Sequence, residues 1–163
     1  MSGARPLNHP HRRLGALATL IMHWKRFSSL ARDAASKDIR EFLTNLHHDF
    51  WSVHYTLAAD RAAQLSALIG DSRVAEILAN VIYPLAVADE REIWSDYRKL
   101  RAQLTNQSVR IAAARLFADD LRQREFLRPL AGQQGLLQIY EDFCLRDASD
   151  CAQCPFPEQV RNW

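Results

Sequence analysis

Three cysteines fall in the last twenty residues, as Cys144-x6-Cys151-x2-Cys154 with Pro155 behind them. In a reducing cytoplasm a structural disulfide is not expected. A Cys-x2-Cys turn instead presents two thiolates to one soft metal, and a third thiolate from a helix end can join them. Zinc needs a fourth ligand, for which His54 is the first candidate and His48, His47, His11 and His9 are alternatives. An iron–sulfur cluster more naturally takes four cysteines, so zinc is the expected metal and a cluster the lesser alternative. The competing reading leaves Cys144 as a helix residue and Cys151 and Cys154 as free thiols.

The spacing resembles the cluster loop of helix-hairpin-helix DNA glycosylases, in which a fourth cysteine follows five residues on. Val160 holds that place here, and no Lys or Asp stands in a glycosylase active-site setting, so the likeness stops at the loop.

A second constellation is Trp51, His54 and Tyr55, with Arg12 or Arg13 across from it. Aromatic walls, an imidazole and a guanidinium can line a pocket, although a histidine amid aromatics is more often a hydrogen-bonded packing residue than a catalyst. Asp89, Glu90, Glu92 and Asp96 are mixed with Arg91, Arg98 and Lys99, the pattern of a solvated, salt-bridged helix face. Ser28-Ser29 lacks a nucleophile elbow, and there is no Gly-rich phosphate loop. No complete catalytic apparatus is legible.

The elements that must position these residues are helical. The chain has 163 residues, 48% hydrophobic and 25% charged, with five Gly and six Pro. That length suits one domain around one core. Leu14, Leu17, Ile21 and Trp24 recur at helical spacing behind Asn8, a good N-cap, and Pro10, which predicts a helix over about 10–26. Ser36 opens a second helix with Ile39, Phe42, Leu43 and Leu46 on one face, closing near His47 or His48. Residues 49–56 are aromatic-rich but have no partner strand, so an irregular or helical segment is expected. Residues 61–69 read as a short helix ended by Gly70.

Asp71 and Ser72 cap the most apolar helix, in which Pro84 removes the hydrogen bond to the Asn80 carbonyl and predicts a kink. Further helices are expected over 89–104, after Asn106, around 121–127 and over 133–145. The fold class is therefore all-α: a compact bundle of six or seven helices, residues 1–163 forming one domain with 143–163 as a metal-binding tail. The run from Val74 to Ala88 is interrupted by Glu76, Asn80 and Pro84 and is too short to span a membrane. Without a recognisable secretory signal, a cytoplasmic location is expected.

Net charge is only +2, but residues 1–35 hold Arg5, Arg12, Arg13, Lys25, Arg26 and Arg32 against Asp33 alone. Such an end can meet phosphates, an acidic partner or an adjoining domain, or can simply be a solvated face.

Four stretches together resemble the C-terminal half of a bacterial family known as domain of unknown function 2851. They are Arg5-Pro-Leu-Asn8-His-Pro-His-Arg12-Arg13-Leu, Trp51-Ser-Val-His54-Tyr55-Thr, the run from Asp71 to Leu85, and Gly132 to Cys144 continuing into Cys151-Ala-Gln-Cys154-Pro. The resemblance implies that longer members carry an N-terminal half with acidic motifs like those of restriction-endonuclease-like nucleases. It follows that this chain is an accessory helical module, which partners that nuclease-like domain or nucleic acid. The alternatives are a purely structural helical domain with free thiols, and an enzyme with a pocket around His54.

Overall fold

The computed structural model describes residues 9–102, 105–118, 120–145 and 151–162. Their backbone forms helices and irregular segments, and the strand-like pairing is an isolated antiparallel bridge between Arg101 and Pro129. The chain divides into two compact units, Met1–Arg91 and Glu92–Trp163.

In the first unit, α1 (Pro10–Met22) and α2 (Trp24–Arg32) replace the single helix expected over 10–26, with a turn at His23 between them. His9 is the N-cap of α1, its Nδ1 accepting from the His11 amide at 3.3 Å. That is the place the sequence assigned to Asn8, which lies with Arg5 outside the described residues. Helix α3 (Ser36–Thr44) buries Ile39, Phe42 and Leu43, as its spacing predicts, and Phe42 stacks on Phe27 of α2. It stops at Thr44, three residues early.

The apolar helix runs as α4 (Asp71–Ile77), a π-helical turn (Leu78–Ile82) and α5 (Tyr83–Ala88). The widened turn lies just ahead of Pro84 and absorbs the lost hydrogen bond there. Val74, Leu78, Ala79, Ile82 and Tyr83 are buried, and α4 packs against α3.

Between α3 and α4, residues 45–70 form no helix, and the expected helix over 61–69 is absent. Its backbone groups are bonded elsewhere. The Ala62 amide donates to the Val53 carbonyl at 2.7 Å and the Ser66 amide to the Ser52 carbonyl at 2.9 Å, while the carbonyls of Ser66 and Ala67 accept from Arg12. A segment whose amides and carbonyls are already paired at long range has nothing to gain from a local helix.

In the second unit, α6 spans only Trp94–Lys99, short of the expected 89–104. Glu90 takes the left-handed conformation (φ 61°) and the Arg91 amide reaches back to the Ala86 carbonyl, so 89–91 close α5 and do not open a new helix. Beyond α6, Leu100 and Ala102 exchange backbone hydrogen bonds with Leu130 and Arg128.

Asn106 caps α7 (Gln107–Phe117) through its Oδ1 and the Val109 amide at 2.8 Å, as expected. Then follow α8 (Gln123–Leu127), α9 (Leu130–Ile139) with a π-helical turn (Tyr140–Cys144), and α10 (Phe156–Arg161). Val109, Ala112, Ala113 and Leu136 are the core of this unit, with Phe117, Leu127, Leu137 and Tyr140 packed around it.

Two glycines of α9 have opposite reasons to be there. A Cβ on Gly132 would run into the Phe126 carbonyl, whereas one on Gly135 would meet nothing within 4 Å. Gly132→Ala is therefore expected to lower stability by about 1–3 kcal/mol through overpacking against backbone, and Gly135→Ala to raise it by roughly 0.5–1 kcal/mol. Urea unfolding of the two variants checks the pair; equal effects would contradict the packing described.

Candidate functional site

Helix α1 is amphipathic in the unexpected sense. Its buried positions are Arg12, Gly15, Ala16 and Thr19, whereas Leu14, Leu17 and Ile21 are 64%, 52% and 60% exposed. The two sets fall on opposite sides of the helix, since residues three or four apart share a face. The stripe that makes α1 recognisable in the sequence is thus its outer face.

The inner face meets the irregular segment. Gly15 lies directly under the Trp51 indole, so close that a Cβ would collide with the ring. Thr19 satisfies its hydroxyl within the helix, donating to the Gly15 carbonyl at 2.7 Å.

Arg12, only 2% exposed, sends Nη2 to the Ser66 carbonyl (2.9 Å), the Ser66 hydroxyl (2.6 Å) and the Ala67 carbonyl (2.9 Å). Its guanidinium lies over the Tyr55 ring, 5.3 Å from the centroid. Among the described residues no carboxylate forms an ion pair with it, and its Nη1 is buried without a hydrogen-bond partner. Burial pushes its pKa down, and the neighbouring Tyr55 works in the other direction. Arg12 therefore belongs to the interior and is no surface for phosphates.

Arg13, one residue on, is exposed. Helices α1 and α2 also expose Lys25 and Arg26 and contain no acidic residue. The two helices are thus basic in composition.

Of the expected pocket residues, Arg12 and Tyr55 come together and Trp51 caps Gly15. His54 is half-buried, stacked on Phe50 with ring centroids 4.1 Å apart, and its Nδ1 is 2.9 Å from the Phe50 carbonyl. A ring tied this way is oriented by its own turn. An open groove of about 600 Å³ lies elsewhere, between α2 and α3, with His23, Arg26, Asp38, Glu41, Phe42 and His47 on its walls. His54 does not line it.

Cys144 ends the π-helical turn after α9, Cys151 starts a short 3₁₀ turn and Cys154 follows it; all three are free thiols. His54, the expected fourth ligand, is in the other unit. Among the described residues, no group of three or more His, Cys, Asp or Glu is placed to hold a metal ion. No helix of the described residues is long and apolar enough to cross a membrane.

Residues missed by the sequence reading are Leu14, Leu17 and Ile21, as an outer face, and Arg115 of α7 beside the cysteines. The first had a signal: Gly15, Ala16 and Thr19 form a small-residue face that admits close approach.

These features describe an all-helical protein with an outward apolar face on its first helix. The model of the family described as protein of unknown function (DUF2851) matches residues 1–111, more than half of the chain, and the chain belongs to that family. The match ends before the cysteines. Neither the curated proteins nor the solved structures gave a match.

The Arg12 contacts make a sharp prediction. Arg12→Ala leaves the Ser66 and Ala67 carbonyls without their donor, at a cost on the order of 3 kcal/mol, and exposes residues 57–67 to protease. Arg12→Lys, with one nitrogen in place of a planar fork, is expected to recover only part of this. Limited proteolysis with mass mapping reads both; an Arg12→Ala protein as resistant as wild type would contradict the role.

Proposed function

We propose that this chain is a non-catalytic helical interaction module, and that the outer face of α1 docks onto a partner protein domain. The observation that carries the reading is the inverted helix, with Leu14, Leu17 and Ile21 half-exposed or more while Arg12, Gly15 and Thr19 are buried. Covering three such side chains is worth on the order of a few kcal/mol, and apolar patches of this kind mark interaction surfaces.

The partner chemistry follows from the surroundings. The basic composition of α1 and α2, which contain no acidic residue and expose Lys25, favours an apolar groove rimmed by carboxylates. The nuclease-like half that the family resemblance implies for longer members, with its acidic motifs, is the partner we propose. Nucleic acid alone would use the basic residues but would leave the leucines and isoleucine uncovered.

The test mixes this chain with the separately expressed N-terminal half of a longer family member and, in parallel, with a DNA duplex. Leu17→Glu with Ile21→Glu is expected to weaken binding to the protein half at least tenfold while the melting temperature holds, because both side chains face solvent. No binding of the wild type to that half, or equal binding by the double variant, overturns the proposal. Binding to DNA that is lost in Lys25→Glu with Arg26→Glu but not in the apolar variant would assign the face to nucleic acid instead.

A further inference from the structure

The C-terminal cysteines offer a second chemistry, independent of the docking face. Cys151–Gln153 form a 3₁₀ turn, and the Cys154 amide donates to the Cys151 carbonyl at 3.3 Å. A turn closed in this way keeps its first and fourth Cα atoms within about 7 Å, the range in which a disulfide closes without moving the backbone. Side-chain contacts anchor the helix after the turn and the helical end at Cys144. Phe156 at the start of α10 meets the Phe143 ring edge-on, with centroids 5.1 Å apart, and Arg115 of α7 donates through Nη1 to the Cys144 carbonyl at 3.3 Å. Arg115 is solvent-exposed and lies in electrostatic range of Cys151 as well as Cys144.

The two thiols of the turn differ in access: Cys151 is exposed and Cys154 half-buried. That difference sets an order of events, since an exposed thiol meets a reagent first and a sheltered neighbour resolves the adduct.

We propose that Cys151 and Cys154 form a reversible two-electron dithiol site, oxidised to a disulfide within the turn by an anionic low-molecular-weight disulfide of the glutathione class. The Cys151 thiolate attacks one sulfur of the reagent, forming a mixed disulfide and releasing one reagent thiolate. The Cys154 thiolate then attacks the Cys151 sulfur and releases the second. Two protein thiols lose two electrons and two protons, and one reagent disulfide becomes two thiols. Arg115 supplies a positive charge at the approach of a carboxylate-bearing reagent. Cys144 takes no part in the bond.

The experiment equilibrates the full chain, reduced and anaerobic, with stepped ratios of reduced and oxidised glutathione, quenches with an alkylating reagent and maps the peptides by mass. The expected product is a Cys151–Cys154 disulfide with Cys144 alkylated, unchanged in Cys144→Ser. Cys154→Ser should accumulate one glutathione on Cys151. Arg115→Gln should slow oxidation by glutathione disulfide severalfold and leave oxidation by uncharged bis(2-hydroxyethyl) disulfide unaltered. The proposal is overturned by glutathione retained on Cys151 in the wild type, by a bond to Cys144, or by an Arg115→Gln variant that reacts with glutathione disulfide as fast as the wild type or is slowed equally with both reagents. It is also overturned by stoichiometric zinc that keeps the thiols reduced throughout the titration.

Discussion

A buried guanidinium that no carboxylate among the described residues pairs with, bonded to two backbone carbonyls more than fifty residues away, sets the form of the first unit. Arg12 fixes the Ser66–Ala67 turn, and Gly15 accepts the Trp51 indole one helical turn further along. With its inner face given over to an irregular segment, α1 has no room to point leucines inward, because the segment is held at a distance that only Gly, Ala and Thr allow. The outward Leu14, Leu17 and Ile21 are the consequence. An uncompensated buried charge is costly, and here the cation is partly compensated by carbonyl dipoles, a hydroxyl and the Tyr55 ring while one nitrogen stays idle.

How much of this was legible depends on how far apart the interacting groups lie in the chain. Local signals read true: the Ile39, Phe42 and Leu43 face of α3, and the Asn106 cap of α7, are set by residues three or four positions apart. The helices expected over 61–69 and 89–104 fail for the opposite reason. The first is undone by bonds donated by Arg12 and accepted by the Ser52 and Val53 carbonyls, the second by pairing of Leu100 and Ala102 with Leu130 and Arg128 and by a left-handed Glu90. No short window of sequence contains those partners.

The candidate sites follow the same division. Periodicity locates the α1 stripe but is silent on whether it faces in or out, and only the Gly15-Ala16-x2-Thr19 pattern hints at a close-packed opposite side. Arg12 reads as surface charge until its burial is seen. Of the cysteines, conspicuous by spacing, Cys151 and Cys154 share one turn and Cys144 ends a helix beside Arg115, an arrangement that spacing alone does not reveal. The two features belong to separate compact units.

The inversion of α1 is tested most directly by the thiol reactivity of single cysteines placed on its two faces, in a background with Cys144, Cys151 and Cys154 replaced by serine. Leu17→Cys is expected to react with a soluble thiol reagent at least tenfold faster than Thr19→Cys in the folded protein, and the two at similar rates in denaturant. A protected Leu17→Cys beside a reactive Thr19→Cys would mean that α1 buries its leucines after all, and the docking face would not exist.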